Sequence, residues 1–163
     1  SVTRMNFKMA KVDWCFVFPA TVVWVLSLAV TAWDFVLFHG TVYRFGLVSV
    51  LGLILFVSGV SLRVVGRRTL KKSYSYFPES SRKRELVTYG VYRFVRHPIY
   101  LAAILYVLGL PLVFLSLFGF LVALGFIPCV LYRIRVEERL LVQEFSEEYL
   151  GYKRRTKKLL PYV

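Results

Sequence analysis

Long apolar runs alternate with short basic stretches along this chain, and the runs set its organisation. The first extends from about Trp14 to Phe38, long enough as a helix to cross a hydrocarbon layer of about 30 Å with some tilt. It is too long for the core of a signal peptide and lacks a convincing small-residue cleavage site. A second run, from Gly46 to about Leu62, follows a turn beginning at His39-Gly40, so the two form an antiparallel helical hairpin. Asp34 is placed to pair with Arg44, and His39 reads as a loop residue.

From Arg63 to Arg96 the pattern breaks. Arg67, Arg68, Lys71, Lys72, Arg82, Lys83 and Arg84 surround a Ser73-Tyr74-Ser75-Tyr76-Phe77-Pro78 segment, which reads as a polar, aromatic connector outside the apolar layer. In an extended segment Tyr74 and Tyr76 share a face, suited to a flat aromatic ligand or to anchoring at an interface. The third apolar stretch, Ile99 to Tyr132, is too long for one span and too short for two full ones, and Gly109-Leu110-Pro111 interrupts it. It predicts two helices, with Pro128 kinking the second.

The expected fold is therefore an all-α integral membrane protein, one domain over residues 1–163 with four transmembrane helices in two hairpins. The spans fall at about 14–38, 46–62, 98–110 and 111–132, with a connector over 63–97 and a C-terminal helix and tail over 133–163. Four spans put the amino end, connector and tail on one side, together with every lysine and arginine except Arg44. The positive-inside rule makes that side cytoplasmic.

Composition agrees. A chain 58% hydrophobic and 17% aromatic, with a mean hydropathy of +0.61, is too apolar for an ordinary soluble domain. The 22 Lys+Arg against 9 Asp+Glu give a net charge of +13. The basic residues flank apolar runs rather than line a soluble face, which favours anionic lipid headgroups over nucleic acid. Cys15 and Cys129 both lie within apolar segments and suggest neither a disulfide framework nor a metal cluster.

Candidate chemistry sits where the connector meets the third apolar stretch, in Leu-Val-Thr-Tyr-Gly-Val-Tyr-Arg-Phe-Val-Arg-His-Pro-Ile-Tyr, Leu86 to Tyr100. Pro98 suits the first turn of a helix and pushes His97 out of the helical region. The unpaired N–H groups of that turn, with Arg96 and His97, could receive a carboxylate or phosphate. Equally, they could anchor a helix end at lipid headgroups. Further on, Ile134, Glu138, Leu141, Phe145, Tyr149 and Tyr152 share one face of a continuous helix, while Arg135, Arg139 and Gln143 point away. Glu138 thus falls in an apolar stripe with Glu137 on its flank. A carboxylate placed there needs a partner, either Arg96 or His97 in a plain ion pair, or a bound ligand.

Two blocks resemble the isoprenylcysteine carboxyl methyltransferase family, within a wider set of membrane methyltransferases that includes phospholipid methyltransferases. They are Leu-Val-Thr-x-Gly-x-Tyr-x-x-x-Arg-His-Pro-x-Tyr at Leu86 to Tyr100 and Glu-Glu-x-x-Leu-x-x-x-Phe-x-x-x-Tyr-x-x-Tyr at Glu137 to Tyr152. Leu62-Arg63 and Arg67-Arg68-Thr69-Leu70 are similar as well, so the resemblance covers about Gly59 to Pro161. Ser146 departs from it, because the family usually has glycine there.

The resemblance implies S-adenosylmethionine as cofactor, bound between connector and C-terminal helix, with no metal. It implies a cofactor site of Arg96, His97, Pro98 and Tyr100 facing Glu137 and Glu138, with Tyr92 and Leu141 beside them. Arg96, Arg93 and Glu138 are the candidate catalytic groups. The acceptor it implies is lipophilic and enters from the bilayer. A prenylated cysteine carboxylate or a similar lipid-like oxygen or sulfur nucleophile comes first, because a carboxylate is already ionised at neutral pH and asks only for a cation. A phospholipid amine, which must first lose a proton, is the alternative. A nicotinamide-dependent membrane reductase and a non-catalytic membrane adaptor remain as readings of other classes.

Overall fold

The computed structural model describes residues 2–39, 45–75 and 86–159 of the chain. Five α-helices carry it: α1 (Val2–Asp34, continued by a π-helical turn Phe35–His39), α2 (Leu47–Ser75), α3 (Pro98–Val113), α4 (Leu117–Leu124) and α5 (Phe126–Arg155), with a short 3-10 turn at Gly90–Arg93 ahead of α3. Among the described residues β pairing is confined to one parallel bridge between Val95 and Lys157. Val17–Phe38, Leu47–Leu70 and Leu117–Gln143 are each long and apolar enough to cross a membrane, while α3 is apolar but shorter. Arg44, Tyr76, Pro78, Arg82, Lys83 and Arg84, expected to act in loops, lie outside the described residues.

The expected boundaries shift in three places. Helix α2 does not stop near Leu62 but runs on to Ser75, so the first part of the connector is helical and Tyr74 does not sit in an extended segment. Helix α3 continues through Pro111 to Val113, and the reversal comes later. There Leu115 takes φ +57°, the Ser116 N–H donates to the Pro111 carbonyl at 2.9 Å, and the Ser116 hydroxyl caps α4 by accepting the Gly119 N–H at 3.0 Å. The break expected at Pro128 lies at Gly125 instead, between α4 and α5. Pro128 explains it, since it has no N–H for the Leu124 carbonyl and its ring crowds that oxygen.

Helices α2 and α3 pack antiparallel along the length of α3. Gly66 faces Pro98 and Ile99, Gly59 faces Ala102 and Tyr106, and Gly52 faces Gly109 and Val113. The seven-residue spacing keeps all three glycines on one face, and small residues let the backbones approach where hydrocarbon supplies no hydrophobic drive between helices. A Cβ at Gly59 would stand 2.7 Å from the Tyr106 nitrogen. On the other side of α3, Ala20 of α1 joins Ala103, Val107, Ala123, Phe126, Val130 and Ile134 in the core. The Ser27 hydroxyl ties α1 to α4 by donating to the Gly119 carbonyl at 2.9 Å. Apolar side chains such as Leu47, Leu53, Ile54 and Val57 stay exposed along α2, as a lipid-facing surface requires.

Candidate active site

The segment before α3 is fastened to the turn after α5 by its backbone. Gly90 opens the 3-10 turn at φ +64°, a conformation that favours glycine. Tyr92 is buried there, and its carbonyl accepts the Tyr152 hydroxyl at 2.6 Å. The Arg96 N–H then donates to the Lys157 carbonyl at 2.8 Å and the His97 N–H to the Lys158 carbonyl at 3.3 Å. Pro98 begins α3 as expected, and His97 before it has non-helical φ −123° and ψ 59° because proline crowds the preceding residue.

This fastening brings Arg96 and His97 onto α5. Arg96 Nε donates to Glu138 Oε1 at 3.2 Å, and both side chains are buried. The same guanidinium donates to the carbonyls of Lys153 at 2.9 Å and Thr156 at 2.5 Å. His97 Nε2 lies 3.4 Å from Glu138 Oε1, within ion-pair reach but without a hydrogen bond. Lys153 Nζ and Lys158 Nζ approach Glu138 Oε2 at 3.6 and 3.8 Å. One carboxylate thus gathers four basic side chains, and the pairing with Arg96, one of the alternatives left open for an inward glutamate, is present.

Three buried polar atoms have no hydrogen-bond partner among the described residues: His97 Nε2, Glu137 Oε2 and the Tyr149 hydroxyl. Unpaired atoms of this kind cost free energy that a ligand can recover. Burial raises the Tyr149 phenol well above its usual range, and the nearby Glu138 charge raises it further. Tyr92 is raised by burial and then by Glu137, and burial pushes Tyr152 up to about 12. These phenols therefore stay protonated, and of them Tyr152 donates to the Tyr92 carbonyl.

Of the other expected site residues, Tyr100 accepts the Arg133 Nε–H at 3.2 Å and stacks obliquely on His97 with ring centroids 5.8 Å apart. Pro98 is buried at the start of α3, and Leu141 is half-buried on α5. Ile134, Glu138, Tyr149 and Tyr152 are buried and Arg135, Arg139 and Gln143 exposed, in line with the stripe. The helix carrying them is not continuous, however. Ser146 takes φ +45° and ψ −119°, so α5 bends before Tyr149 and turns its last residues toward the Arg96 segment.

Arg93 does not join the cluster. It is exposed, with its guanidinium 6.0 Å from the Phe94 ring centre. A cation absent from the expected site takes a more central place: Arg63, on α2, donates to the Tyr106 hydroxyl at 3.1 Å. It borders an apolar cavity of about 310 Å³ between α1, α2, α3 and α5, walled by Trp24, Tyr100, Ala103 and Phe126 among others. The signal for Arg63 was available in the sequence, as a charge one helical turn inside the basic cluster Arg67-Arg68, but only packing shows what it faces.

A family model described as phospholipid methyltransferase matches residues 47–148, from the start of α2 well into α5. The chain is 33% identical over 121 residues to the protein-S-isoprenylcysteine O-methyltransferase of Saccharomyces cerevisiae, covering 72% of this chain and 50% of that one. It is also 33% identical over 118 residues to the protein of the same name from Homo sapiens, covering 71% and 42%. The chain thus spans about half the length of the curated relatives it matches. Its fold is that of a solved eukaryotic intramembrane Ras methyltransferase, with a TM-score of 0.70 at 24% identity over 88% of this chain and 52% of that one.

Proposed function

This chain belongs to the phospholipid methyltransferase family, and from that premise we propose that it transfers a methyl group from S-adenosylmethionine to the carboxylate of a lipophilic, prenylated-cysteine-like acceptor. The observation that carries this reading is the Arg96–Glu138 pair at 3.2 Å with three buried polar atoms around it that lack a hydrogen bond. A ligand bearing hydroxyls, an ammonium and a carboxylate fits that set of donors and acceptors. His97, beside the first turn of α3, would hold the cofactor carboxylate. Glu137 would take its ammonium or ribose hydroxyls, and Tyr149 would donate to a ligand oxygen. Tyr100, Pro98, Tyr92 and Leu141 would border the remainder. Arg96 already donates to Glu138 and two carbonyls, so it is a positioning residue that keeps Glu138 and the C-terminal turn in place.

When bound, the cofactor would supply an electrophilic methyl on a sulfonium whose leaving group is a neutral thioether. The protein's part is to orient the reactants and exclude water. A carboxylate acceptor is ionised at neutral pH, so what the site must supply is a cation. Arg63, bordering the apolar cavity beside Tyr100, would hold that carboxylate, while the cavity and the lipid-facing helices accept the apolar chain. The basic connector and tail would lie on the cytoplasmic side, where a polar cofactor enters.

Calorimetry on the detergent-purified chain, with S-adenosylhomocysteine as competitor, tests the cofactor site. Micromolar binding that falls at least about tenfold in His97→Ala and Glu138→Gln is expected, both variants keeping wild-type helix content. No binding in detergent or in nanodiscs would sink the reading. For the acceptor, methyl label carried onto farnesylcysteine should be released by mild base as an ester hydrolyses. Base-stable label on phospholipid would identify an amine acceptor instead.

A further inference from the structure

A second recess, of about 300 Å³, lies on the outer side of Arg96. It is lined by Lys153, Arg154, Arg155, Thr156, Lys157 and Lys158. Lys153 and Lys158 lean inward on Glu138 at 3.6 and 3.8 Å, and Arg96 already shares that carboxylate. One negative charge is thereby divided among several cations, while Arg154, Arg155 and Lys157 stand exposed on the rim. Like charges so crowded repel one another and draw an anion to the space between them.

The backbone fixes the height of this recess. The bridge between Val95 and Lys157 and the bond from the Arg96 N–H to the Lys157 carbonyl at 2.8 Å hold the basic turn beside the residues just before Pro98. At Pro98 the chain enters its apolar helix α3, so the turn stands at the level where polar surface gives way to hydrocarbon. Phe94 marks the same level from the other strand of the bridge. It is 63% exposed, and its carbonyl accepts the Lys157 N–H at 3.4 Å. An exposed aromatic ring beside a basic concavity suits an amphiphile, with its charge in the recess and its chains beside the ring.

We propose that this recess is a binding site for the headgroup of an anionic phospholipid, with Arg154, Arg155 and Lys157 on the phosphate and Phe94 against the top of the acyl chains. Occupancy fills the charge deficit that Glu138 leaves and steadies the turn that holds Arg96. Arg96 lines the recess too, so the site adjoins the proposed cofactor position, and lipid retention measured without cofactor tests it apart from the methyltransferase reading.

Native mass spectrometry of the full chain, from micelles holding equal amounts of phosphatidylcholine and phosphatidylglycerol, tests the site. One phosphatidylglycerol should be retained in preference, and Arg154→Gln/Lys157→Gln should weaken retention at least about tenfold, since each basic group near an anionic surface contributes roughly fivefold. Arg67→Gln/Arg68→Gln, which removes the same charge from exposed positions on α2, should leave retention unchanged. Equal loss in both double variants would show attraction by net charge alone and overturn the proposal, as would no preference for phosphatidylglycerol. Displacement by millimolar glycerol phosphate would reveal a site for soluble anions and overturn it too. Should the double variant fold poorly by circular dichroism, the single variants Arg154→Gln and Lys157→Gln, each at an exposed side chain, are each expected to give a severalfold loss. Full retention in both would exclude the site.

Discussion

Two residues show how local chemistry serves the candidate site, one by its charge and one by its backbone. Glu138 was legible in the sequence as a carboxylate within an apolar stripe that needs a partner. The sequence left that partner open among Arg96, His97 and a bound ligand, and packing decided for Arg96. Ser146 was legible only as a departure from glycine. Its φ of +45° explains why glycine suits the position, because a side chain there strains the backbone by about 1–3 kcal/mol. Ser146→Gly should relieve this strain, less the extra freedom glycine gains in the unfolded chain. The expected net gain is about 1 kcal/mol, or a rise of roughly 2–4 °C in a thermal unfolding scan for a chain of this size. A lower midpoint would mean that the Ser146 hydroxyl holds the bend in a way the backbone angles do not reveal.

At the scale of elements, the α2–α3 pair positions both ends of the site, since α3 begins at the Arg96-His97 segment and α2 brings Arg63 beside Tyr106. Gly59 lets them meet: an alanine Cβ there would stand 2.7 Å from the Tyr106 nitrogen and 2.8 Å from the Ala102 carbonyl oxygen. Both are backbone atoms that cannot rotate aside, so Gly59→Ala must part the helices. The expected cost is about 1–3 kcal/mol, read as a lower unfolding midpoint, with a larger fall in affinity for a lipophilic acceptor than for the cofactor. Equal falls in both would place Arg63 and its cavity outside acceptor binding. Hydrophobic periodicity announced these helices but misjudged their ends at Leu62, Pro111 and Pro128. Whether a proline breaks its own turn or the one before it depends on how neighbouring packing holds the orphaned carbonyl.

Taken whole, the molecule is a helical bundle in which, among the described residues, Arg93, Arg96 and the basic run Lys153 to Lys158 gather beside the start of α3 and the turn after α5. Single cysteines on a background without Cys15 and Cys129 test the orientation expected from that asymmetry. Lys157→Cys and Arg67→Cys should react with an impermeant maleimide from the same side of sealed vesicles, and Phe45→Cys, at the opposite end of α2, from the other. Lys157→Cys and Phe45→Cys labelled from one side would break the four-crossing arrangement. The sequence by itself determined that the chain is an α-helical membrane protein, where its charge concentrates and which two blocks carry polar chemistry, because these follow from apolar run length and from residue identity. Only the tertiary structure decided that Arg96 is spent on Glu138 and the C-terminal turn, that Arg93 stands aside, and that Arg63 borders the apolar cavity. Those outcomes depend on which side chains meet across helices far apart in sequence: one backbone pairing between residues 95 and 157 and one bend at Ser146 set the meeting at Arg96, and the close α2–α3 contact at Gly59 sets the place of Arg63.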